Sequence, residues 1–179
     1  MVSEDSAPGQ GVEVALLSCN IKIQAEEGSA DTDGGYLQIF HTPGVAQVIE
    51  GAEFTNMGQR GGKNRFPIQF LYSGDVNGTS IARNSIRDSN HRCIVLEGTS
   101  NAVVDANVAH DTAGHCYFVG YQAMGNTISN NLGSRTNDNI RRLGGQLAGE
   151  NDQDMHTFHV WNSQNDFIGN VAAGSDDTG

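Results

Sequence analysis

The sequence has few prolines and lacks long apolar or helical stretches, and each shortage limits what the chain can form. Three prolines occur among 179 residues, and the best helical candidate, IRRLGGQLAG at 140–149, is interrupted by glycines that each cost ~1 kcal/mol inside a helix. No apolar run approaches the ~18 residues that a membrane-spanning helix needs, so no membrane-spanning segment is predicted. No basic start leads into an apolar stretch, so no signal peptide is recognisable.

Glycine and asparagine are frequent instead, and they punctuate short apolar runs. The chain has 23 glycines, and runs of Val, Ile, Phe and Thr alternate with breaks of Asn, Gly, Asp and Ser. This pattern favours an all-β chain. Residues 1–10 are predicted to be a polar leader, and residues 11–179 are long enough for a single domain with its own core. The last residues follow directly on a strand-like run, which indicates a fragment of a longer chain.

Charge is unevenly distributed along this acidic protein, whose formal net charge is −11. Between Phe54 and Arg142 nine basic residues outnumber six acidic ones, whereas the flanks carry almost only acids. A basic centre is typical of a surface that binds an anionic polymer, although ordinary surface charge explains it equally well. The arginines lack the aromatic interleaving and the motifs of nucleic-acid binding, so nucleic acid is not an expected partner.

Four segments align on an asparagine that follows an apolar residue by three positions. The segments read SIARNSIRDS, VVDANVAHDT, TISNNLGSRT and DFIGNVAAGS, and their asparagines are Asn84, Asn107, Asn131 and Asn170. These asparagines are 23, 24 and 39 residues apart. The long interval contains NDNIRRLGGQLAGENDQD, which predicts an inserted loop around 135–156.

The repeat predicts a parallel β-helix, a solenoid of ~23-residue coils that stack about 4.8 Å apart. A second series of apolar runs, FPIQFLYSG, RCIVLEGTS, HCYFVGYQA and TFHVWNSQN, has the same period and adds further strands to each coil. The repeated asparagines suit a corner of the coil, because asparagine tolerates a left-handed backbone and its amide can hydrogen-bond along the stack. A β-sandwich is the alternative, but it does not predict one residue type at a fixed phase.

Placing Cys93 over Cys116 converts the repeat into spatial neighbours. Arg92 then stacks on His115, and one column contains Leu71, Glu97 and Gly120. Stacked cysteines are close enough for a disulfide, but parallel side chains in register point the same way. This geometry favours a buried thiol pair, whereas an extracellular setting would favour the bridge.

Several segments together resemble the right-handed β-helix region of the cell-surface hyaluronidase family. The segments include EFTNMGQ, SGDV, RCIVLEGT, GHCYF and GNVAAGS, and the resemblance covers about nine tenths of the chain. Relatives of that family are the cell-migration-inducing hyaluronan-binding proteins and the fibrocystin-like receptors. The resemblance implies a right-handed parallel β-helix in a longer secreted or membrane-anchored protein, at the cell surface or outside the cell. It also implies an anionic polysaccharide partner such as hyaluronan, its depolymerisation by hydrolase chemistry, and involvement of calcium.

The chain departs from the family pattern at positions that matter for catalysis. Gln69 and Leu71 stand where the family usually has histidines, Glu97 where it often has a histidine, and Gly120 within the usual acidic pair. A column of His, His and an acid could perform acid–base chemistry or hold a metal, whereas Leu, Glu and Gly cannot do so in the same way. Two hypotheses therefore stay open: a glycan-depolymerising enzyme, and a non-catalytic structural or glycan-binding module.

Four residues are the candidates for catalysis: His115, Arg92, Glu97 and Asp75. Arg92 can clamp a glycan carboxylate, with His115 as a neighbouring proton donor, although a corner pair that binds backbone carbonyls is the alternative. Glu97 is a lone carboxylate, whereas a glycosidase usually needs two at a defined separation. Asp75 can position a loop, or it can be a turn residue that binds its own backbone.

Several of the remaining acidic residues are candidate oxygen ligands for calcium. Asp105 and Asp111 are candidates, together with a cluster formed by Glu150, Asp152 and Asp154. The cluster lacks the spacing of an EF-hand loop, so a solvated acidic loop is the alternative. The sequon Asn77-Gly78-Thr79 lies in a predicted loop and is consistent with secretion.

Overall fold

The computed structural model describes residues 14–31, 34–137 and 155–175, and it shows a right-handed parallel β-helix. The described strands form three parallel sheets, and each coil contributes one strand to each sheet. The first sheet contains β1 (Ile21–Gln24), β4 (Ala52–Thr55), β7 (Ser85–Ser89), β10 (Val108–Ala113), β13 (Leu132–Asn137) and β16 (Val171–Ala173). The second contains β2 (Leu37–Phe40), β5 (Ile68–Asp75), β8 (Ile94–Ser100), β11 (Tyr117–Val119) and β14 (Phe158–Val160). The third contains β3 (Val48–Glu50), β6 (Ser80–Ala82), β9 (Val103–Asp105), β12 (Thr127–Ser129) and β15 (Asp166–Ile168), and a 3-10 helix spans Ser29–Asp31.

The register between neighbouring strands confirms the predicted stacking. In the second sheet Ile94 pairs with Tyr117, and Leu71 pairs with Glu97. Every described strand pair is parallel, which excludes the β-sandwich alternative, because sandwiches are built from antiparallel sheets. The predicted columns of side chains along the axis are therefore real neighbours.

Side chains that point inward fill the solenoid with a continuous apolar core. The buried residues from successive coils include Ile68, Phe70, Ile94, Leu96 and Tyr117. The hydroxyl of Tyr117 lies 3.1 Å from the carbonyl oxygens of both Asn107 and Leu132, which satisfies its polar end. Because each strand alternates between inward and outward residues, the residues between these core positions lie on the outer face of the second sheet.

The asparagine ladder is confirmed, although its backbone geometry differs from the prediction. The amide nitrogen of Asn84 donates to Oδ1 of Asn107 at 3.0 Å, and Asn107 and Asn131 repeat this bond to the next coil at the same distance. The left-handed residue is the one before each asparagine, with φ near 53° at Ala106 and Asn130. The backbone N–H of each asparagine donates to Oδ1 of the asparagine in the next coil.

A second ladder lies at another corner of the coil, and the repeat alignment did not predict it. The backbone N–H of Ala102 donates to Oδ1 of Asn126 at 2.9 Å, and the N–H of Asn126 donates to Oδ1 of Asn165 at 3.0 Å. Both ladders pass from the coil of β12 to the coil of β15 across the long interval of the repeat.

Cys93 and Cys116 form a disulfide, so the preference for a buried thiol pair was wrong. Their Cα atoms are 4.6 Å apart, which lies within the range that a disulfide spans. Both residues are fully buried and come immediately before the strands β8 and β11, so they lie outside the regular strand pairing. Cys19 is a free cysteine.

Two of the predicted segments fall largely beyond the described ranges. The polar leader at 1–10 lies outside them, and so do residues 138–154 of the predicted loop, with the helical candidate IRRLGGQLAG. Strand β13 continues to Asn137, two residues past the predicted start of that loop at 135. Within the described ranges the protein has no helix that is long and apolar enough to cross a membrane.

Candidate functional site

A groove runs along the outer face of the second sheet and is lined by two of the four candidate residues, Arg92 and Glu97. We call it the Arg92 groove; it has a volume of about 420 Å³ and is lined by Lys63, Phe66, Leu71, Arg92, Glu97 and Phe118, among others. Its floor is the sheet, and one wall is the segment that connects β4 to β5. Gln69 joins floor and wall, because its side-chain amide donates to Oδ1 of Asn64 at 3.2 Å and its oxygen accepts from Gln38 at 2.9 Å.

Arg92 lies at the base of this groove against two aromatic rings. Its guanidinium carbon is 4.0 Å from the ring centre of Phe118 and 5.3 Å from that of Phe66. The side chain is buried, so the cation–π attraction acts where water screens it little. The rings hold the planar guanidinium in one orientation, which prepares it to bind an anion.

Glu97 lies beside Arg92, and its carboxyl group fills the space in front of Gly120. A Cβ atom added to Gly120 would overlap that carboxyl group, so a larger residue there would require the Glu97 side chain to move. Burial raises the pKa of Glu97 above its ordinary value, and the positive charge of Arg92 opposes this increase. The arrangement keeps a proton on Glu97 at a higher pH than an exposed glutamate would.

His115 belongs to a cluster of imidazole rings. Its ring centre is 4.1 Å from that of His159, 5.4 Å from that of His156 and 6.1 Å from that of Phe118. Nδ1 of His115 accepts the backbone N–H of His156 at 3.1 Å, so a proton on the neutral ring resides on Nε2. Phe118 is thus the ring that both His115 and Arg92 approach.

His156 and His159 were not among the sequence-based candidates. The signal was present, but it required shifting the last segment by one residue: aligning HTFHVWNSQ with HCYFVGYQA places His159 next to Phe118, the register that the structure shows. The long interval before this coil concealed the relationship.

Asp75 does not take part in the groove. It ends β5, and its Oδ1 accepts the backbone N–H of Asn77 at 3.0 Å. Hydrogen bonds from the Asn101 side chain and from this backbone group lower the pKa of Asp75. Asp75 is thus a turn residue that also binds the next coil. This was the alternative interpretation of Asp75 from the sequence.

The candidate calcium ligands that the structure describes bind protein groups instead. Asp105 accepts hydrogen bonds from Ser129 at 2.6 Å and from Asn130 at 2.9 Å. Asp111 accepts from Asn137 at 2.8 Å and pairs with Arg135 at 3.3 Å. The described parts of the chain contain no group of three His, Cys, Asp or Glu residues that could hold a metal ion. The acidic cluster at 150–154 lies outside them, and calcium stays a prediction.

Comparison with known proteins identifies the class of this β-helix. Residues 32–179 match the family described as CEMIP beta-helix. The chain therefore belongs to the CEMIP beta-helix family.

The matched relatives are much longer proteins. Communication mutant protein F of Dictyostelium discoideum is 33% identical over 182 residues, which cover 90% of this chain and 16% of the relative. A G8 domain-containing protein of the same organism is 35% identical over 181 residues, covering 90% of this chain and 15% of the relative. The human protein named cell surface hyaluronidase CEMIP2 is 29% identical over 206 residues, covering 93% of this chain and 15% of that protein. The chain thus spans about one sixth of the length of these curated relatives.

Proposed function

We propose that this β-helix binds an anionic polysaccharide such as hyaluronan in the Arg92 groove. The proposal rests on the Arg92 guanidinium, which two phenyl rings orient at the base of the groove. A guanidinium binds a carboxylate through two parallel hydrogen bonds, and a uronic acid presents such a carboxylate on every second sugar of hyaluronan. Lys63 on the groove wall supplies a second positive charge.

The location that accompanies this function is the cell surface or the extracellular space. The Cys93–Cys116 disulfide supports it, because disulfides persist mainly in oxidising compartments. The relative named cell surface hyaluronidase CEMIP2 supports it as well. Asn77, the acceptor of the predicted sequon, is exposed, as glycosylation requires.

Depolymerisation is a second candidate function, and the raised pKa of Glu97 favours it. A protonated Glu97 would donate its proton to the glycosidic oxygen as the bond to the anomeric carbon breaks, and water would add to that carbon and return a proton to the Glu97 carboxylate. Arg92 would bind the neighbouring carboxylate and hold the sugar in place. The non-catalytic module is the remaining alternative, favoured by Gln69 and Leu71 at positions where the family usually has histidines.

Binding is tested by calorimetry with hyaluronan oligosaccharides and, as an uncharged control, cello-oligosaccharides. We expect the chain to bind hyaluronan, Arg92→Ala to weaken binding at least tenfold and Arg92→Lys to restore only part of it. Arg83→Ala is the matched control, because Arg83 pairs with Glu50 at a corner outside the groove. Equal binding of hyaluronan by wild type and Arg92→Ala, or no binding by wild type, would refute the proposal.

Depolymerisation is tested separately by the size of hyaluronan after incubation, with and without calcium. Wild type, Glu97→Gln and His115→Ala are compared. Shortening that Glu97→Gln abolishes would support the enzyme, whereas binding without shortening under any condition would establish the non-catalytic module.

A further inference from the structure

Two exposed aromatic side chains mark the two ends of the column that contains Glu97. The outward residues at this position in successive coils are Phe40, Leu71, Glu97, Gly120 and Trp161. Phe40 pairs with Leu71, and the pairing of Val119 with Val160 makes Trp161 the neighbour of Gly120. Phe40 and Trp161 are each 59% exposed. More than half of each side chain is therefore accessible to a ligand.

The surface between the two aromatics is continuous on both sides of Glu97. A second cavity of about 330 Å³, lined by Tyr36 and Phe40, shares Lys63 and Leu71 with the Arg92 groove. On the other side, Gly120 presents no side chain, so nothing at its position separates Glu97 from Trp161. Four steps between coils of about 4.8 Å place Phe40 and Trp161 ~19 Å apart along the axis.

The chemistry of the column matches that of a polysaccharide chain. The face of an aromatic ring carries partial negative charge, and the C–H groups on one face of a sugar ring carry partial positive charge, so the two faces stack. The charged groups Arg92 and Glu97 lie between the aromatics, where carboxylates and glycosidic bonds of the same polysaccharide would pass. Trp161 also contacts His159, with 5.8 Å between their ring centres, which restricts its indole ring.

We propose that Phe40 and Trp161 are sugar-stacking subsites at the two ends of one oligosaccharide site that runs parallel to the solenoid axis. This inference rests on the proposed glycan binding and adds the direction and the length of the bound chain. Arg92 and Glu97 occupy the centre of the site, so a short ligand reaches them without touching either aromatic.

The test compares hyaluronan oligosaccharides of different length by calorimetry. We expect Phe40→Ala and Trp161→Ala each to weaken binding of a decasaccharide by roughly tenfold, the usual size of an aromatic stacking contact. Neither substitution should change the affinity for a disaccharide. Trp161→Phe should recover most of the affinity, because it retains a ring at this position. Val103→Ala is the control, since Val103 is an exposed apolar residue on the third sheet.

The outcomes separate this inference from the proposed function. If Arg92→Ala loses decasaccharide binding while Phe40→Ala and Trp161→Ala bind like wild type, the subsites are refuted and the glycan groove stands. If the aromatic variants lose affinity for the disaccharide as strongly as for the decasaccharide, their effect is not that of terminal subsites. If wild type binds no anionic oligosaccharide, both proposals fail together.

Discussion

The carboxyl group of Glu97 lies in front of Gly120, its neighbour one coil further along the solenoid. The resemblance to the cell-surface hyaluronidase family predicts an acid at or beside the position of Gly120. In this chain the carboxyl group of Glu97, from the preceding coil, reaches into the space that the glycine leaves open.

Gly120→Ala is expected to displace the carboxyl group of Glu97 and to destabilise the protein by at most about 1 kcal/mol, because the added methyl group overlaps the end of a flexible side chain that can rotate away. The φ angle of Gly120 lies outside the left-handed region, so alanine introduces no backbone strain there. Urea unfolding measures the change. In a Glu97→Ala background the same substitution should cost little. An equal cost in both backgrounds would show that the clash is not with Glu97.

Glu97→Gln is expected to change how stability depends on pH. Since burial raises the folded-state pKa of Glu97, the folded protein binds its proton more tightly than the unfolded chain does. Wild type should therefore lose stability as the pH rises above the ordinary glutamate value of 4.5 towards the folded-state pKa. Glu97→Gln should lack this decrease when urea unfolding is followed across pH. An unchanged profile would contradict the raised pKa.

Glu53→Gln is a control, because the pKa of Glu53 is shifted in the opposite direction to that of Glu97 and its effect on stability should have the opposite pH dependence. A hydrogen bond from the hydroxyl of Thr55 and the neighbouring Arg87 lower the pKa of Glu53, which is buried in β4. The stability from Glu53 is present above its unfolded pKa and is lost as the pH falls through the folded value. Glu53→Gln should therefore weaken the acid-induced loss of stability, in the pH range below that of Glu97.

Asn107→Ala is expected to destabilise the β-helix by on the order of 3 kcal/mol, since it leaves several buried polar groups without partners. Asn107 accepts from the backbone and side chain of Asn84 and donates to Ile81 and Asn131. Urea unfolding with an unchanged m value would measure the loss. Asn77→Ala, at an exposed turn, should change stability by less than about 0.5 kcal/mol. Equal effects at the two sites would contradict the role of the ladder.

Cys116→Ser is expected to lower the free energy of unfolding by about 3 kcal/mol, because it opens a covalent loop between Cys93 and Cys116. These cysteines are 23 residues apart. Adding dithiothreitol to wild type should have a similar effect, and Cys19→Ser, which removes the free cysteine, should have little. Mass spectrometry of the unreduced protein that finds thiols at both Cys93 and Cys116 would exclude the bridge.

The stacking of coils was predictable because it depends on a repeated residue at a repeated phase. Cys93 and Cys116 have the same spacing as Asn84 and Asn107, and placing Cys93 over Cys116 predicted that Glu97 lies next to Gly120. In a solenoid each coil contacts mainly its neighbours, so an alignment of successive repeats directly predicts which residues are in contact.

The groove wall, the disulfide and the left-handed residues were not predicted, because the sequence repeat does not encode them. The wall of the Arg92 groove comes from the segment around Lys63, which is longer than the equivalent connections at 90–93 and 114–116, so aligning those coils cannot place it. The disulfide depends on the direction of two side chains at the start of a strand, whereas the repeat reports only the separation of their backbones. The left-handed residue beside each ladder asparagine varies in type, from Ala106 to Asn130, and therefore has no signature in composition.

The hydrogen bonds of the first ladder have the same length whether the chain takes 24 or 39 residues to reach the next rung. Asn107 binds Asn131 and Asn131 binds Asn170 through the same pair of contacts, each 3.0 Å long. The scaffold is thus insensitive to how much chain intervenes at this point. The intervening segment can therefore change in length or sequence during evolution while the coil spacing that positions Arg92, Glu97 and Trp161 stays the same.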